Sequence, residues 1–162
     1  LAGYTSNLNN NNNFGYLIPS ISFDYKLVSS GQLVFATKLK SHFTFGDSYE
    51  FYQAASIGGN DGLRGYRNQR FTGKNAMYHS SDIRLNLRRF KTNLLPIYIG
   101  VFGGFDYGTV WGQQNTTFKN SKFNTSLGGG VFVNAANMMS GNISAFNSDD
   151  GLRLALTFGF AF

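Results

Sequence analysis

Residues 152 to 162 alternate without a break, and that alternation constrains the fold more than any other feature of the chain. Leu152, Leu154, Leu156, Phe158, Phe160 and Phe162 occupy one parity, and Arg153, Ala155, Thr157, Gly159 and Ala161 the other. A period of two belongs to a strand with two dissimilar faces. The same pattern recurs at about 16–28, 32–45, 49–57 (less cleanly), 76–90, 97–110, 123–134 and 138–147, which predicts about eight antiparallel strands. In these strands Asp24, Lys26, Lys38, Lys40, Glu50, Asp82, Arg84, Arg88, Asp106 and Arg153 all fall opposite the apolar series.

Two architectures accommodate such strands. A soluble sandwich turns its apolar faces together and its charges to water. A transmembrane barrel turns the apolar face to lipid and the polar face inward. The polar face here mixes acids and bases with bulky Tyr78, Tyr98 and Phe102, and glycines line much of it. Tyr49, Tyr107 and Trp111 near strand ends suit an interfacial aromatic girdle. A last strand ending in Phe160-Ala161-Phe162 would leave a hydrophobic edge on a soluble protein. An all-β transmembrane barrel is the better fit. The first fifteen residues, with the run Asn9 to Asn13, are expected to form a polar turn or loose terminus.

One stretch breaks the alternation. Gly58 to Gly73 holds five glycines, three arginines and two aromatics, which predicts a long irregular loop at about 58–75. At its centre Leu63-Arg64-Gly65-Tyr66 places a guanidinium beside glycine and an aromatic ring. A planar guanidinium favours a carboxylate partner.

Other chemistries find little support. The chain has no cysteine, so disulfides and thiolate metal sites are excluded. No apolar run is long enough for a membrane-spanning helix. No leader peptide is evident, so an exported protein of this sequence is expected to be a processed form or a fragment. The net charge of +6 is spread along the chain rather than clustered, so no nucleic-acid partner is expected. His42 and His79 lie on separate strands without metal-ligand spacing, and no cofactor is implied. The glycine-rich loop lacks the Lys-Ser/Thr ending of a phosphate cradle. Asp82 and Asp106 could be drawn as an acid pair, but nearby arginines favour ion pairing, and no enzymatic arrangement emerges.

Three motifs resemble the carboxy-terminal barrel of the Bam/Tam assembly-factor family, the bacterial surface-antigen barrels of outer membranes. Leu63-Arg64-Gly65-Tyr66 is similar to its hydrophobic-Arg-Gly-aromatic loop motif. Phe105-Asp106-Tyr107-Gly108 is similar to its Phe-x-Asp-x-Gly strand motif. Asp82-Ile83-Arg84 resembles its acidic-x-Arg motif, with aspartate where glutamate is usual. The resemblance covers about Gly58 to Phe162 and implies a location in the bacterial outer membrane. It further implies that the loop folds into the barrel and that Arg64 engages Asp106. The strand pattern itself leaves Asp82 as a competing partner, disfavoured because Arg84 lies two residues away on the same face. Phe158, Phe160 and Phe162 resemble the terminal signal read by the barrel-assembly machinery.

The family's barrels usually have sixteen strands behind periplasmic domains. This chain is therefore expected to be either the carboxy-terminal half of a larger barrel or a contracted eight-stranded one. Its implied partners are outer-membrane lipid, the assembly machinery, client outer-membrane proteins and an upstream periplasmic domain. The implied function is insertion or translocation of other proteins. A membrane anchor for a soluble domain is the alternative, and a soluble ligand-binding β-protein the third reading.

Overall fold

The computed structural model describes residues 2–6, 13–46, 53–91, 96–112, 118–135 and 139–160. Its strands are β1 (Ala2–Ser6), β2 (Asn13–Leu17), β3 (Ser20–Lys26), β4 (Leu33–Phe45), β5 (Ala55–Ile57), β6 (Phe71–Gly73), β7 (Asn75–Lys91), β8 (Pro96–Trp111), β9 (Asn124–Ala135), β10 (Met139–Ser148) and β11 (Gly151–Phe160). All but β5 and β6 join one antiparallel sheet in the order β1-β2-β4-β7-β8-β9-β10-β11, with β3 also paired to β4. Among the described residues no pairing joins β11 back to β1, so the sheet is an open section of barrel wall.

The alternation reappears as two faces. Large apolar side chains at Ile21, Phe23, Leu39, Ile83, Phe105, Leu127, Val131, Ile143, Leu154, Leu156 and Phe158 are all exposed on the outer one. In a soluble protein so wide an apolar surface would invite association. Against lipid it is the expected exterior. Register keeps the faces consistent from strand to strand: Asp82 lies opposite Gly104, Asp106 opposite Ser126, and Asn142 opposite Phe132.

Four expectations need correction. The strand read as 16–28 is broken at Ile18-Pro19, because proline has no N–H to donate to the ladder. The two pieces keep one register with β4, and the Pro19 carbonyl still accepts from the Ser41 N–H at 3.0 Å. Residues 2–6 and 13–15, read as a turn or loose end, pair as β1 and the start of β2. The segment 49–57 is no wall strand where it is described: β5 pairs only with β6, in a separate two-stranded sheet. A bulge between Asn86 and Arg88 shifts the pairing of β7, so Arg88 lies opposite Ile99 and Arg89 opposite Tyr98. The period-two reading through Arg88 therefore fails beyond Asn86. Tyr49, Glu50 and Phe162 lie outside the described residues.

Candidate functional site: an arginine clasp on the inner wall

The segment between β5 and β6 lies against the inner face of the sheet in two ways. Its first hold is apolar. Leu63 and Tyr66 are fully buried with Ala55, Ile57, Ala76 and Tyr78, while Phe71 and Val110 close the cluster. The Tyr66 ring meets Phe71 edge-on at 5.0 Å. Complete burial of residues this size contributes about 1.5–3 kcal/mol each. Gly62, at φ +99°, turns the backbone directly over the Tyr78 ring, where a side chain would collide.

Its second hold is ionic. Asp106, on β8, is fully buried. Arg64 Nη2 donates to Asp106 Oδ1 at 2.6 Å, and Nε lies 3.0 Å from Oδ2. The Arg64 backbone N–H donates to the same Oδ2 at 3.0 Å. Two hydroxyls complete the shell: Ser80 Oγ of β7 donates at 2.7 Å and Ser126 Oγ of β9 at 2.9 Å. The sheet supplies this arrangement by register, since Ser80, Asp106 and Ser126 are direct cross-strand neighbours. Ser148, next in the same row, donates to the Gly65 carbonyl at 2.8 Å.

The guanidinium has a second carboxylate. Arg64 Nη2 is 2.7 Å from Asp82 Oδ1, and Arg84 Nη2 is 3.1 Å from Asp82 Oδ2. Asp106 and Asp82 are thus joint partners of Arg64 rather than alternatives. Phe146 lies beneath the guanidinium, 4.2 Å from ring centroid to Cζ, a cation–π contact in a desolvated setting. Gly104 makes room, because a Cβ there would approach Arg64 Nη2 and Asp82 Oδ1 to 2.5 Å. Burial disfavours charge on Arg64, but Asp106 and then Asp82 outweigh it and hold the guanidinium pKa above its ordinary value. Further along, Arg153 Nη1 of β11 donates to the Arg64 carbonyl at 3.1 Å. Arg70 forms a bidentate pair with Asp150 of the β10–β11 turn, at 2.6 and 3.2 Å.

Leu63, Arg64, Gly65, Tyr66, Asp82, Arg84 and Asp106 therefore meet in one place. Phe158 does not join them. It projects outward from β11; Phe160 is paired there with Met139, and Phe162 lies outside the described residues. Sequence reading missed Ser80, Ser126, Ser148, Phe146 and Arg153. Their inward parity was visible, but their membership of one cross-strand row depends on register, which parity does not reveal. His42 and His79 lie on opposite faces of the sheet, and His79 Nε2 is 2.7 Å from Thr37 Oγ1. Among the described residues no group of acids and histidines could hold a metal ion.

An apolar exterior, a polar inner face and a loop clasped to that face define the wall of a transmembrane β-barrel. The family model described as haemolysin secretion/activation protein ShlB/FhaC/HecB matches residues 3–133, which include the whole loop, Asp82 and Asp106. The chain belongs to that family. Its kinship with the assembly factors is that of a shared superfamily rather than Bam/Tam membership. Comparison with curated proteins found no match.

Proposed function

We propose that residues 1–162 form a single domain, a section of the wall of an outer-membrane secretion barrel that moves an exported polypeptide. In this reading the segment from Gly58 to Gly73 is an internal plug fixed by Arg64. The observation that carries it is the clasp itself. A loop tied by charge to the inner face occupies the space a passing chain would need, whereas a passive anchor has no use for it. The family description, secretion and activation of a haemolysin, favours translocation over insertion of client barrels.

Connection lengths give an orientation. Two links at the loop end, 46–74 and 112–123, are long and the third, 149–150, is a two-residue turn, while those at the opposite end, 27–32, 92–95 and 136–138, are all short. Long connections face the cell exterior in such barrels, so the loop enters from outside. Lipid covers the apolar face, and Phe158, Phe160 and Phe162 are the signal offered to the assembly machinery.

Planar-bilayer recording of the purified full-length protein tests this reading. Ion conductance is expected, with longer or more frequent openings for Arg64→Ala. A protein that changes gel mobility on heating, as a folded barrel does, yet conducts nothing in either form would overturn the pore. That result would leave the membrane-anchor reading.

A further inference from the structure

Beside the clasp the inner face borders an open-sided hollow of about 790 Å³, roofed by Gly59, Asn60 and Arg64. Its volume falls within the ~300–1,000 Å³ that ordinarily bind small ligands, enough for a short stretch of extended chain. Its chemistry is one-sided. The inward positions of β9 and β10, every second residue from Asn124 to Asn134 and from Ser140 to Ser148, carry no charge. Asn142 and Ser140 of β10 and Thr157 of β11 line the hollow beside Phe132.

The cations at its border are Arg64, Arg84 and Arg153, and its lining carboxylate is Asp82. Asp82 is already held between Arg64 and Arg84. Asp106, fully buried beneath the loop, is the counter-charge of Arg64, so the three guanidinium groups exceed the carboxylates by one. Arg84 makes a single 3.1 Å contact to Asp82, lines the hollow, and has nearly half of its side chain exposed.

Hydroxyls and carboxamides both donate and accept, so they satisfy peptide N–H and C=O groups whatever side chains the peptide bears. An excess of guanidinium over carboxylate attracts acids and repels bases. We propose that this hollow is a docking track for an extended polypeptide segment that is neutral to acidic, and that it rejects segments rich in lysine or arginine. The inference rests on the secretion reading and adds the class of passenger segment to it.

The probes are two labelled peptides of equal length built from Ser, Asn, Thr and Gly, one carrying aspartates and the other lysines at the same positions. Fluorescence anisotropy with the full-length protein in detergent reads their affinities. The aspartate peptide is expected to bind at least about tenfold more tightly, a difference of about 1.4 kcal/mol. Asn142→Asp is expected to narrow or reverse that preference. Heat-dependent gel mobility confirms that the variant is folded, and Thr157→Asp replaces it if it is not.

Equal binding of the peptides, tighter binding of the lysine peptide, or no binding overturns the track. So does a preference unchanged by both substitutions. Conductance separates the two ideas. A conducting protein without peptide preference keeps the secretion reading and loses the track, whereas a silent protein that prefers the acidic peptide does the reverse.

Discussion

Arg64→Ala is expected to loosen the loop by about 3 kcal/mol. The magnitude follows from what the substitution leaves behind. Asp106 would keep the Arg64 backbone N–H and the hydroxyls of Ser80 and Ser126, but lose its counter-charge while fully buried. Removing one partner of a buried ion pair costs about 3–5 kcal/mol. The Arg64 side chain is 24% exposed, so the lower end applies. Hydrogen exchange reports this directly. The amides of Gly59, Leu63 and Tyr66 are bonded within the loop, and a 3 kcal/mol change should speed their exchange about a hundredfold. Asp106→Ala should be milder, because Arg64 retains Asp82 at 2.7 Å and the Phe146 ring. The double substitution leaves no orphan carboxylate at position 106, so it should exchange no faster than Arg64→Ala alone. Strict additivity, or unchanged exchange in Arg64→Ala, would refute the clasp as the loop's restraint.

Three shorter expectations follow from the same geometry. Gly104→Ala, which drives a methyl toward Arg64 and Asp82, should accelerate exchange in the loop as Arg64→Ala does while the barrel keeps its heat-dependent gel mobility. Hydrogen bonding from Arg70 lowers the Asp150 pKa, so that pair's contribution is complete above the ordinary aspartate range near ~3.9 and fades as pH falls below it. Exchange near Asn68 to Phe71 should therefore be insensitive to this pair above about pH 5, and Asp150→Asn should abolish the acid-dependent part. Leu154→Lys on the outer face should cost about 2–4 kcal/mol if it lies near the bilayer midplane, whereas Thr157→Lys on the inner face should change refolding by about 0.5 kcal/mol or less.

The strands of the wall were legible because lipid and lumen impose opposite chemistry on adjacent positions. Leu152 to Phe158 show this most plainly, with no residue out of phase. Reading failed where the backbone, not the side-chain pattern, decided the outcome. Pro19 interrupts a ladder that the apolar series Leu17, Ile21 and Phe23 carries straight through. The bulge after Asn86 moves the partners of Arg88 to Lys91 without altering the period before it. Ala55 to Ile57 read as wall although they pair only with Phe71 to Gly73, a contact that short-range periodicity does not encode. For the clasp, Arg64 and Asp106 are separated by 42 residues, and motif resemblance alone linked them. Ser148, 83 residues from Gly65, reaches it only because four strands align in one register.

The two holds on the loop divide the work between affinity and position. The cluster of Leu63, Tyr66, Ile57 and Tyr78 excludes water from apolar surface, but such packing tolerates small slides and rotations. The clasp does not tolerate them. Asp106 receives its donors from β7, β9 and both the side chain and backbone of Arg64, so a shift of the loop disturbs several bonds at once. A buried ion pair adds little net stability relative to a well-packed apolar replacement, yet is costly to leave half-made. Its contribution here is therefore register. The apolar cluster keeps the loop on the wall, and Asp106 determines where on the wall Arg64 stands, which in turn sets the roof of the adjoining hollow.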